Sequence, residues 1–374
     1  MTFVSVSLLL VIFYTYAGYP LLVALWAKVA PYQVMPQLGF EPTVSVCLSV
    51  HNGEKFLEQK LASLQALDYP PHLLEFLIYS DGSTDRTVEL AQALAEREPR
   101  VRVFANPERL GKPSGLNRLR AEATGDVLLM TDVRQALSPR ALRALLEPLS
   151  DPGIGCVSGS LVLAGSTGAG AYWLYEKFIR GYEARVGGMV GVSGSLYAIR
   201  RSDLQPLPSD VLLDDMFVPM VAAGARKRIV LSREAEAYDE SYADEQEFGR
   251  KVRTLAGNYQ LIAKLPWLLS PFKNPVWFQL VSHKLLRLAC PFALFAFLFS
   301  SLALAFAPFS PAPSSAQRQL WQLLAAGQLL FYGLALLGAR AGRVGTLART
   351  FVVLNAAAVV GLWRFLRGSQ HVAW

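Results

Sequence analysis

The stretch Leu74–Thr87, LEFLIYSDGSTDRT, joins a strand-like apolar run to a helix start. The run ends on Asp81, and Gly82 permits a sharp backbone turn after it. Asp85 follows where the first turn of a helix is expected, a position at which a carboxylate favours the helix dipole. The stretch therefore predicts a β-strand that leads through a tight turn into an α-helix, the repeating unit of an α/β sheet.

Strands and amphipathic helices alternate on both sides of this stretch. A βαβαβαβ order predicts a mostly parallel sheet covered by helices. Ligands of such sheets bind beyond the carboxyl ends of the strands. The predicted strands are 43–50, 74–79, 101–105 and 126–130, and the predicted helices are 54–67, 84–97 and 114–123.

Polar residues follow three of these strands. His51 and Asn52 come after the first strand, Asp81 ends the second, and Asp132 comes after the last. Because parallel strands end at one edge of a sheet, these side chains are expected to meet in one cleft. Asp81 is expected to contact a ligand there.

The second carboxylate of the turn has a different expected role. Asp85 lies in the first helical turn, where it favours the helix dipole, and capping is the simpler interpretation of it. Ser83 or Thr84 is expected to serve as the N-cap residue of the same helix.

Four apolar segments flank this region. Residues 1–27 carry no charge, and at about 1.5 Å per residue they are long enough to cross a bilayer core of about 30 Å. A cleavable signal peptide is the alternative, but the segment lacks a basic start and a small-residue cleavage site. Segments 288–317, 319–339 and 350–363 predict about three further spans, of which the last is the weakest.

Basic residues suggest how these spans are oriented. Arg340, Arg343 and Arg349 lie between the last two segments, which places that loop and the region between the first two spans in the cytoplasm. Arg364 and Arg367 argue mildly against this arrangement. We therefore expect a multi-pass protein of a bacterial-type inner membrane. The net charge of +7 suits lipid headgroups and a polyphosphate ligand, and no nucleic-acid motif accompanies it.

These observations divide the chain into four parts. Residues 263–287 mix tryptophans, aliphatic residues and bases, which is typical of an interfacial helical segment. His283 within it is expected to be a headgroup-level or structural histidine and not a metal ligand. The predicted parts are an N-terminal transmembrane helix (1–28), a cytoplasmic domain (36–262), the interfacial segment (263–287) and a C-terminal transmembrane module (288–374).

A cleft that contains carboxylates and a nearby basic side chain suits a nucleoside diphosphate with a divalent metal ion. A carboxylate binds the hard cation, which neutralises phosphate oxygens. Asp132 is the best candidate for a metal ligand, and Lys112 follows a glycine from which it can reach a diphosphate. A surface lysine is the simpler interpretation of Lys112 taken alone.

The order of motifs resembles the inverting family-2 glycosyltransferases, whose catalytic domain has the GT-A fold and which include bacterial polysaccharide synthases. The resemblance covers about residues 44–260. Its marks are seven stretches: VSVCLSVHNGEKFL (44–57), SDGSTD (80–85), GKPSGLN (111–117), LLMTDVRQ (128–135), GVSGSLYAIRR (191–201), LLDDMFVP (212–219) and RKVRT (250–254).

The resemblance implies a donor site. By it, His51, Asn52 and Asp81 hold the uridine of a UDP-sugar, and Asp132 binds Mg²⁺ or Mn²⁺. The family commonly has a second acid two positions after this aspartate, where this sequence has Arg134. Either the single aspartate suffices with diphosphate oxygens and water, or the arginine supplies part of the positive charge.

The resemblance also implies the catalytic residues. Asp214 and Asp215 match the acidic pair that contains the base, with Asp215 as the base and Asp214 positioning it. From the residues alone, two acids at a helix N-terminus explain the pair equally well. Gly191, Ser193 and Gly194 are assigned to the acceptor site, and an ordinary glycine turn is the alternative.

A pair of arginines lies on one predicted helix. Arg250 and Arg253 share a helical face and match the family's (Gln/Arg)-x-x-Arg-Trp element, which secures the donor diphosphate. Such a pair is otherwise usually solvated. Thr254 replaces the tryptophan, so the aromatic stacking platform is lost unless Tyr259 substitutes for it.

Together these features predict a membrane-bound hexosyltransferase that uses a UDP-sugar and a divalent metal with inversion. The expected acceptor is a growing polysaccharide, and single transfer to a lipid or polyprenyl phosphate is the alternative. A non-catalytic nucleotide-sugar-binding subunit is the rival of a different class. A homo-oligomer or export partners stay open, and a channel is disfavoured by the near absence of ionisable residues in the spans.

Overall fold

The computed structural model describes residues 1–164, 170–240, 244–307 and 314–370. Its central feature is an eight-stranded sheet of order β3-β2-β1-β4-β7-β6-β8-β5. In the described residues, β1 pairs in parallel with β2 and β4, whereas β7 runs antiparallel between β4 and β6. The strands are β1 (Val44–Val50), β2 (Leu74–Asp81), β3 (Val101–Asn106), β4 (Val127–Thr131), β5 (Ala136–Leu137), β6 (Ile154–Ala164), β7 (Leu196–Arg200) and β8 (Arg228–Glu240).

The helices cover both faces of this sheet and extend beyond it. The first four predicted strands and their helices are confirmed within a few residues at each end. The helices are α1 (Thr2–Phe13), α2 (Tyr19–Val29), α3 (Leu57–Gln65), α4 (Thr87–Arg97), α5 (Lys112–Glu122), α6 (Ala141–Leu149), α7 (Gly170–Arg185), α8 (Asp214–Gly224), α9 (Asp244–Lys264), α10 (Trp277–Gln279), α11 (Leu286–Phe306), α12 (Ser315–Leu337) and α13 (Gly342–Leu366).

Two apolar clusters hold the sheet between its helices. Alternate residues of β1 point to opposite faces, so Val46 and Leu48 join one cluster while Cys47 joins the other. All seven residues of β1 are buried, as expected for a central strand of a parallel sheet. This double covering leaves the carboxyl ends of the strands as the accessible edge.

Three stretches of the described residues are long and apolar enough to cross a membrane. They are Thr2–Val29, Trp277–Phe306 and Ser315–Leu366. The third contains α12 and α13, which are separated by a turn in which Gly338 and Gly342 both have positive φ angles of 55° and 65°. The predicted interfacial segment is not a separate element at its C-terminal end, because the helix that begins at Trp277 continues into α11.

The last apolar helix packs on the sheet-containing domain. A Cβ atom at Gly361 of α13 would lie 2.9 Å from the backbone nitrogen of Ala256 and 3.2 Å from the carbonyl oxygen of Val252. Both residues belong to α9, the helix that carries Arg250 and Arg253. The missing side chain thus allows α13 and α9 to approach closely.

We predict that Gly361→Leu destabilises the protein by about 1–3 kcal/mol, because the added side chain has no room between α13 and α9. Thermal unfolding in detergent measures the effect as a lower midpoint. Gly327→Leu on α12 is the matched control, since nothing lies within 4 Å of its Cβ position. Equal midpoints for the two variants would contradict the close packing.

Candidate active site

Three neighbouring strands bring their polar ends together, as predicted. His51 and Asn52 follow β1, Asp81 ends β2, and Asp132 follows β4. The Nδ1 atom of His51 lies 2.8 Å from the carbonyl oxygen of Asp81. Asn52 has a left-handed φ of 51°, and its Oδ1 accepts a hydrogen bond from the Thr84 amide at 2.8 Å. The loops after β1 and β2 are therefore joined into one rim.

Asp81 is fully buried and holds a third loop. Its two carboxylate oxygens accept hydrogen bonds from the backbone amides of Leu110 and Gly111, each at 2.8 Å. These amides immediately precede α5, which begins at Lys112. The observed contacts of Asp81 thus position Lys112, and its predicted contact with a nucleotide stays a prediction.

Asp85 lies two residues before α4, not in its first turn as expected, but it bonds the first amide of the helix, which confirms the capping interpretation. Its Oδ1 accepts a hydrogen bond from the Thr87 amide at 3.0 Å, and its Oδ2 accepts one from the Glu54 amide at 3.2 Å. The expectation that Ser83 or Thr84 caps this helix is wrong. The Ser83 hydroxyl accepts from the Asn52 amide instead.

Lys112 lies between two carboxylates from distant parts of the chain. Its Nζ is 2.9 Å from Asp132 Oδ1 and 3.3 Å from Asp214 Oδ2. Burial disfavours the charged ammonium, but Asp132 and Asp214 outweigh this effect and raise the pKa of Lys112 above its ordinary value. The structure thus brings three predicted site residues together: Lys112, which we expect near the diphosphate, the candidate metal ligand Asp132, and Asp214 of the acidic pair.

Asp215 lies beside the glycine-rich segment that was assigned to the acceptor. Its backbone oxygen accepts a hydrogen bond from Val192 at 2.8 Å, and a Cβ at Gly194 would lie 3.6 Å from its Oδ2. Gly191 has a φ angle of +118°, a backbone conformation that would be strained in a residue with a side chain. Burial, and then the neighbouring carboxylate of Asp214, raise the pKa of Asp215 to about 6.

Asp215 faces a cavity of about 460 Å³. Gly191 and Ser193 line it on one side, and Lys251 and Thr254 of α9 line it on another. A cavity of this size accommodates a sugar together with a charged group. The proposed base therefore has space in front of it for a substrate.

The two arginines of α9 differ in position. Arg253 is half-buried, and its Nη2 lies 3.5 Å from the carbonyl oxygen of Leu212, next to Asp214. Burial lowers the pKa of Arg253, against the opposing effect of the Asp214 and Asp215 carboxylates. Arg250 is exposed. Arg253 thus lies within electrostatic reach of the acidic pair.

Tyr259 does not substitute for the missing tryptophan. Its ring stacks on Phe365 of α13 with centroids 6.1 Å apart, and its hydroxyl donates to the Leu288 carbonyl at 3.4 Å. Thr254 lines the cavity at the position of the family's aromatic residue, whereas Tyr259 does not line it. Tyr259 lies five residues after Thr254 and therefore points to another side of α9.

The residues around Asp132 fit a divalent cation that is bound mainly by a diphosphate. Its side chain is 31% exposed, and one oxygen accepts from Lys112. Within the described ranges, no group of three His, Cys, Asp or Glu residues is placed to hold a metal. Arg134, at the place of the second acid, forms an ion pair with Asp239 at 2.7 Å. One carboxylate is a usual protein contribution to Mg²⁺ when phosphates supply other ligands.

Comparison with known proteins identifies a related family. Residues 45–207 match the family model described as glycosyl transferase family 2. They form a family 2 glycosyltransferase domain. The matched part contains the strand-end residues and Lys112, whereas Asp214, Asp215 and α9 lie beyond it.

Relatives of known name match this domain at moderate identity. An N-acetylglucosaminyltransferase of Rhizobium meliloti is 27% identical over 175 residues, 44% of this chain and 41% of that protein. The β-monoglucosyldiacylglycerol synthase of Synechocystis is 25% identical over 191 residues, 47% of this chain and 40% of that protein. The aligned parts thus span about two fifths of the length of these curated relatives.

A solved structure matches nearly the whole chain. The mannosyltransferase PcManGT from Pyrobaculum calidifontis, in complex with GDP-Man and Mn²⁺, aligns with a TM-score of 0.75 at 24% identity. The alignment covers 98% of this chain and 99% of that chain. The likeness establishes the GT-A fold and extends it to the flanking apolar helices.

One residue of the glycosyltransferase domain was missed by sequence reasoning. Lys60 of α3 is buried, and its Nζ donates to Thr131 Oγ1 at 2.7 Å and to the Gln135 carbonyl at 2.6 Å. Burial lowers the pKa of Lys60 to about 7, although nearby Asp132 acts in the opposite direction. Its position three residues after Leu57, on the apolar face of α3, is the sequence feature that indicates burial of this lysine.

A second cluster also escaped prediction. His283 is buried, and its Nδ1 lies 2.8 Å from Glu183 Oε1, while its Nε2 lies 3.2 Å from Glu176 Oε2. Arg287 also contacts Glu176. The headgroup-level interpretation of His283 is wrong, and the structural one is correct. The partners lie 100 and 107 residues away, so no local pattern indicates them.

We predict that Lys60→Met lowers the free energy of unfolding by about 1–3 kcal/mol, because it removes two buried hydrogen bonds and leaves the Gln135 carbonyl unpaired. The midpoint of thermal unfolding in detergent measures the loss. Lys55→Met, at an exposed lysine just before α3, is the control and should leave the midpoint unchanged. A Lys60 variant as stable as this control would show that the contacts contribute nothing.

Proposed function

We propose that this protein is a membrane-bound inverting glycosyltransferase that moves a hexose-type sugar from a nucleoside diphosphate donor to a hydroxyl group. The observation that carries the proposal is Asp215, whose pKa is raised to about 6 and which faces a cavity beside the glycine segment at Gly191. A base with such a pKa is ionised at neutral pH and still accepts a proton readily.

The proposed reaction divides the work among the neighbouring residues. Asp215 accepts the proton of the acceptor hydroxyl while that oxygen attacks the anomeric carbon. The bond from this carbon to the diphosphate breaks, and the departing oxygen keeps the electron pair. Lys112 and Arg253 are positioned to stabilise the charge that develops on the diphosphate. Asp214 holds Lys112 in place and raises the pKa of Asp215.

For the donor we propose a UDP-sugar. His51 and Asn52 border the strand-end rim, and their groups suit the polar edges of a base and ribose, while the buried Asp81 fixes the adjoining loop. The relatives that carry this domain include transferases named for N-acetylglucosamine and glucose, whereas PcManGT was determined with GDP-Man. A panel of UDP- and GDP-sugars incubated with the purified protein tests the choice of base and of sugar together.

We propose that Asp132 binds Mg²⁺ or Mn²⁺ together with the donor diphosphate. A bound cation would neutralise the phosphate oxygens and so assist the departure of the nucleoside diphosphate. Arg134 forms an ion pair with Asp239, so we assign the diphosphate charge to the metal ion and not to Arg134. The Mn²⁺ in the PcManGT complex supports the use of a divalent metal in this fold.

For the location we propose the inner membrane, with the catalytic domain in the cytoplasm. Arg340 lies in the turn between α12 and α13 and Arg343 at the start of α13, and positive residues favour the cytoplasmic side. A non-catalytic role is less well supported, because Asp214, Asp215 and Lys112 form a site with a base of suitable pKa. Processive polysaccharide synthesis is the second candidate for the reaction, although Tyr259 supplies no aromatic platform at the cavity.

We predict that Asp215→Asn lowers kcat by about 10²–10⁴-fold, because an amide cannot accept the proton of the acceptor. The dissociation constant for the donor should stay unchanged, since the diphosphate contacts are retained. Sugar transfer in detergent and equilibrium donor binding measure the two effects. Asp210→Asn, at an acid that is 61% exposed and paired with Lys264, is the control with full activity.

If Asp215→Asn transfers sugar at the same rate as the Asp210→Asn control, Asp215 is not the base. Loss of donor binding along with transfer would instead indicate that the substitution disturbs the donor site.

A second prediction concerns pH. We expect kcat/KM to fall below about pH 6, because the pKa of Asp215 is raised to about 6 and only its ionised form accepts a proton. Asp214→Asn removes a charge that raises this pKa, so the acid limb of its profile should move to lower pH. Residual transfer measured from pH 4.5 to 8 gives both limbs. Coincident limbs would contradict the proposed coupling of the two acids.

A further inference from the structure

The cavity in front of Asp215 continues toward the membrane helices. Tyr172, Leu255, Arg287 and Leu354 line both this cavity and a second one of about 300 Å³. The shared residues come from α7, α9, α11 and α13, so the connection lies where the catalytic domain meets the apolar helices.

The second cavity is apolar and leads to a third. Tyr16, Leu347 and Phe351 line both the second cavity and a third of about 530 Å³. The third is bordered by Phe13 and Val344, which are 60% and 62% exposed. Exposed apolar side chains on spanning segments are positions at which a protein contacts lipid. The three cavities therefore adjoin one another between the membrane-facing surface and Asp215, and together they are called the apolar passage below.

The polar end of this passage is lined by five lysine and arginine side chains and by the carboxylates of Glu176, Glu183 and Asp215. Arg180 and Lys177 of α7 and Lys251 of α9 line the first cavity together with Asp215. Arg180 is half-buried, and no hydrogen bond or ion pair joins it to another residue of the described ranges. At the junction with the second cavity, the Nε and Nη2 atoms of Arg287 are buried without a hydrogen-bond partner among described residues. Arg287 is paired with Glu176 through its Nη1 atom, so Arg180 is the guanidinium group that suits a phosphate here, with the remaining donors of Arg287 beside it.

We propose that the acceptor is a membrane lipid with a phosphate-containing headgroup, whose chain occupies the apolar passage and whose phosphate lies at Arg180. This inference rests on the proposed sugar transfer and names its acceptor class. A phosphate beside Arg180 and Arg287 places a neighbouring hydroxyl of the headgroup in the cavity that contains Asp215. That hydroxyl forms the bond to the anomeric carbon, its proton passes to Asp215, and the nucleoside diphosphate leaves with the electron pair.

A photolabelling experiment tests the site without requiring the sugar to be known. The full chain in nanodiscs is irradiated with hexadecyl phosphate that carries a diazirine at its chain end, and labelled peptides are mapped by mass spectrometry. The parallel probe is hexadecanol with the same diazirine. We expect the phosphate probe to label the peptide around Phe13 or Leu347 at least fivefold more than the alcohol does.

Two variants and a control make the test specific. Arg180→Gln removes the cation, and Leu354→Trp fills the junction of the first two cavities, so each should lower labelling by the phosphate probe at least fivefold. Val353→Trp is the matched control on the same helix, because Val353 faces outward and lines none of the three cavities. Size-exclusion profiles identify folded variants, and Thr350→Trp replaces Leu354→Trp if the latter does not fold.

The outcomes separate this inference from the proposed reaction. Equal labelling by phosphate and alcohol, or undiminished labelling of folded Leu354→Trp and Arg180→Gln, overturns the lipid site even if the protein transfers sugar to a soluble acceptor. Selective labelling that both variants abolish supports the lipid site. If that labelling accompanies a failure to turn over any nucleotide sugar, the site stands and the proposed transfer is rejected.

Discussion

The ion pairs of Lys112 with Asp132 and Asp214 are the interaction on which the site depends. The two carboxylates come from segments 82 residues apart, and each would repel the other without a cation between them. Lys112 begins α5, and the Asp81 carboxylate fixes the two backbone amides that precede it. A buried carboxylate at one strand end thus positions the cation that joins the other two acids.

Most of the sheet was predictable because its signals are local. Strand periodicity, the turn at Gly82 and the capping carboxylate of Asp85 depend on residues within a few positions of one another, and the structure confirms them. The contacts of Asp81 were not predictable in the same way. Its hydrogen-bond donors lie 29 and 30 residues later, in a loop whose path follows only from the assembled sheet.

The errors share a physical cause. His283 and Lys60 carry polar groups that sequence statistics place at the surface, yet both are buried. Burial of each is offset by hydrogen bonds to partners 71 to 107 residues away, and such pairing is invisible in a local window. Tyr259 illustrates the opposite problem. It lies close to Thr254 in the sequence, yet the two side chains lie on different faces of α9.

The packing of α13 on α9 connects the membrane part to the chemistry. One side of α9 carries Arg253 beside Asp214, and another accepts Gly361 against Ala256. The apolar helix α13 thus packs directly on the helix that carries a cation beside the acidic pair. Leu354 of the same α13 lines the junction between the polar and apolar cavities. A lipid chain in that junction would contact Leu255 of α9 and Leu354 of α13, the two helices that pack closely at Gly361. A soluble acceptor would approach the same base without touching this helix pair.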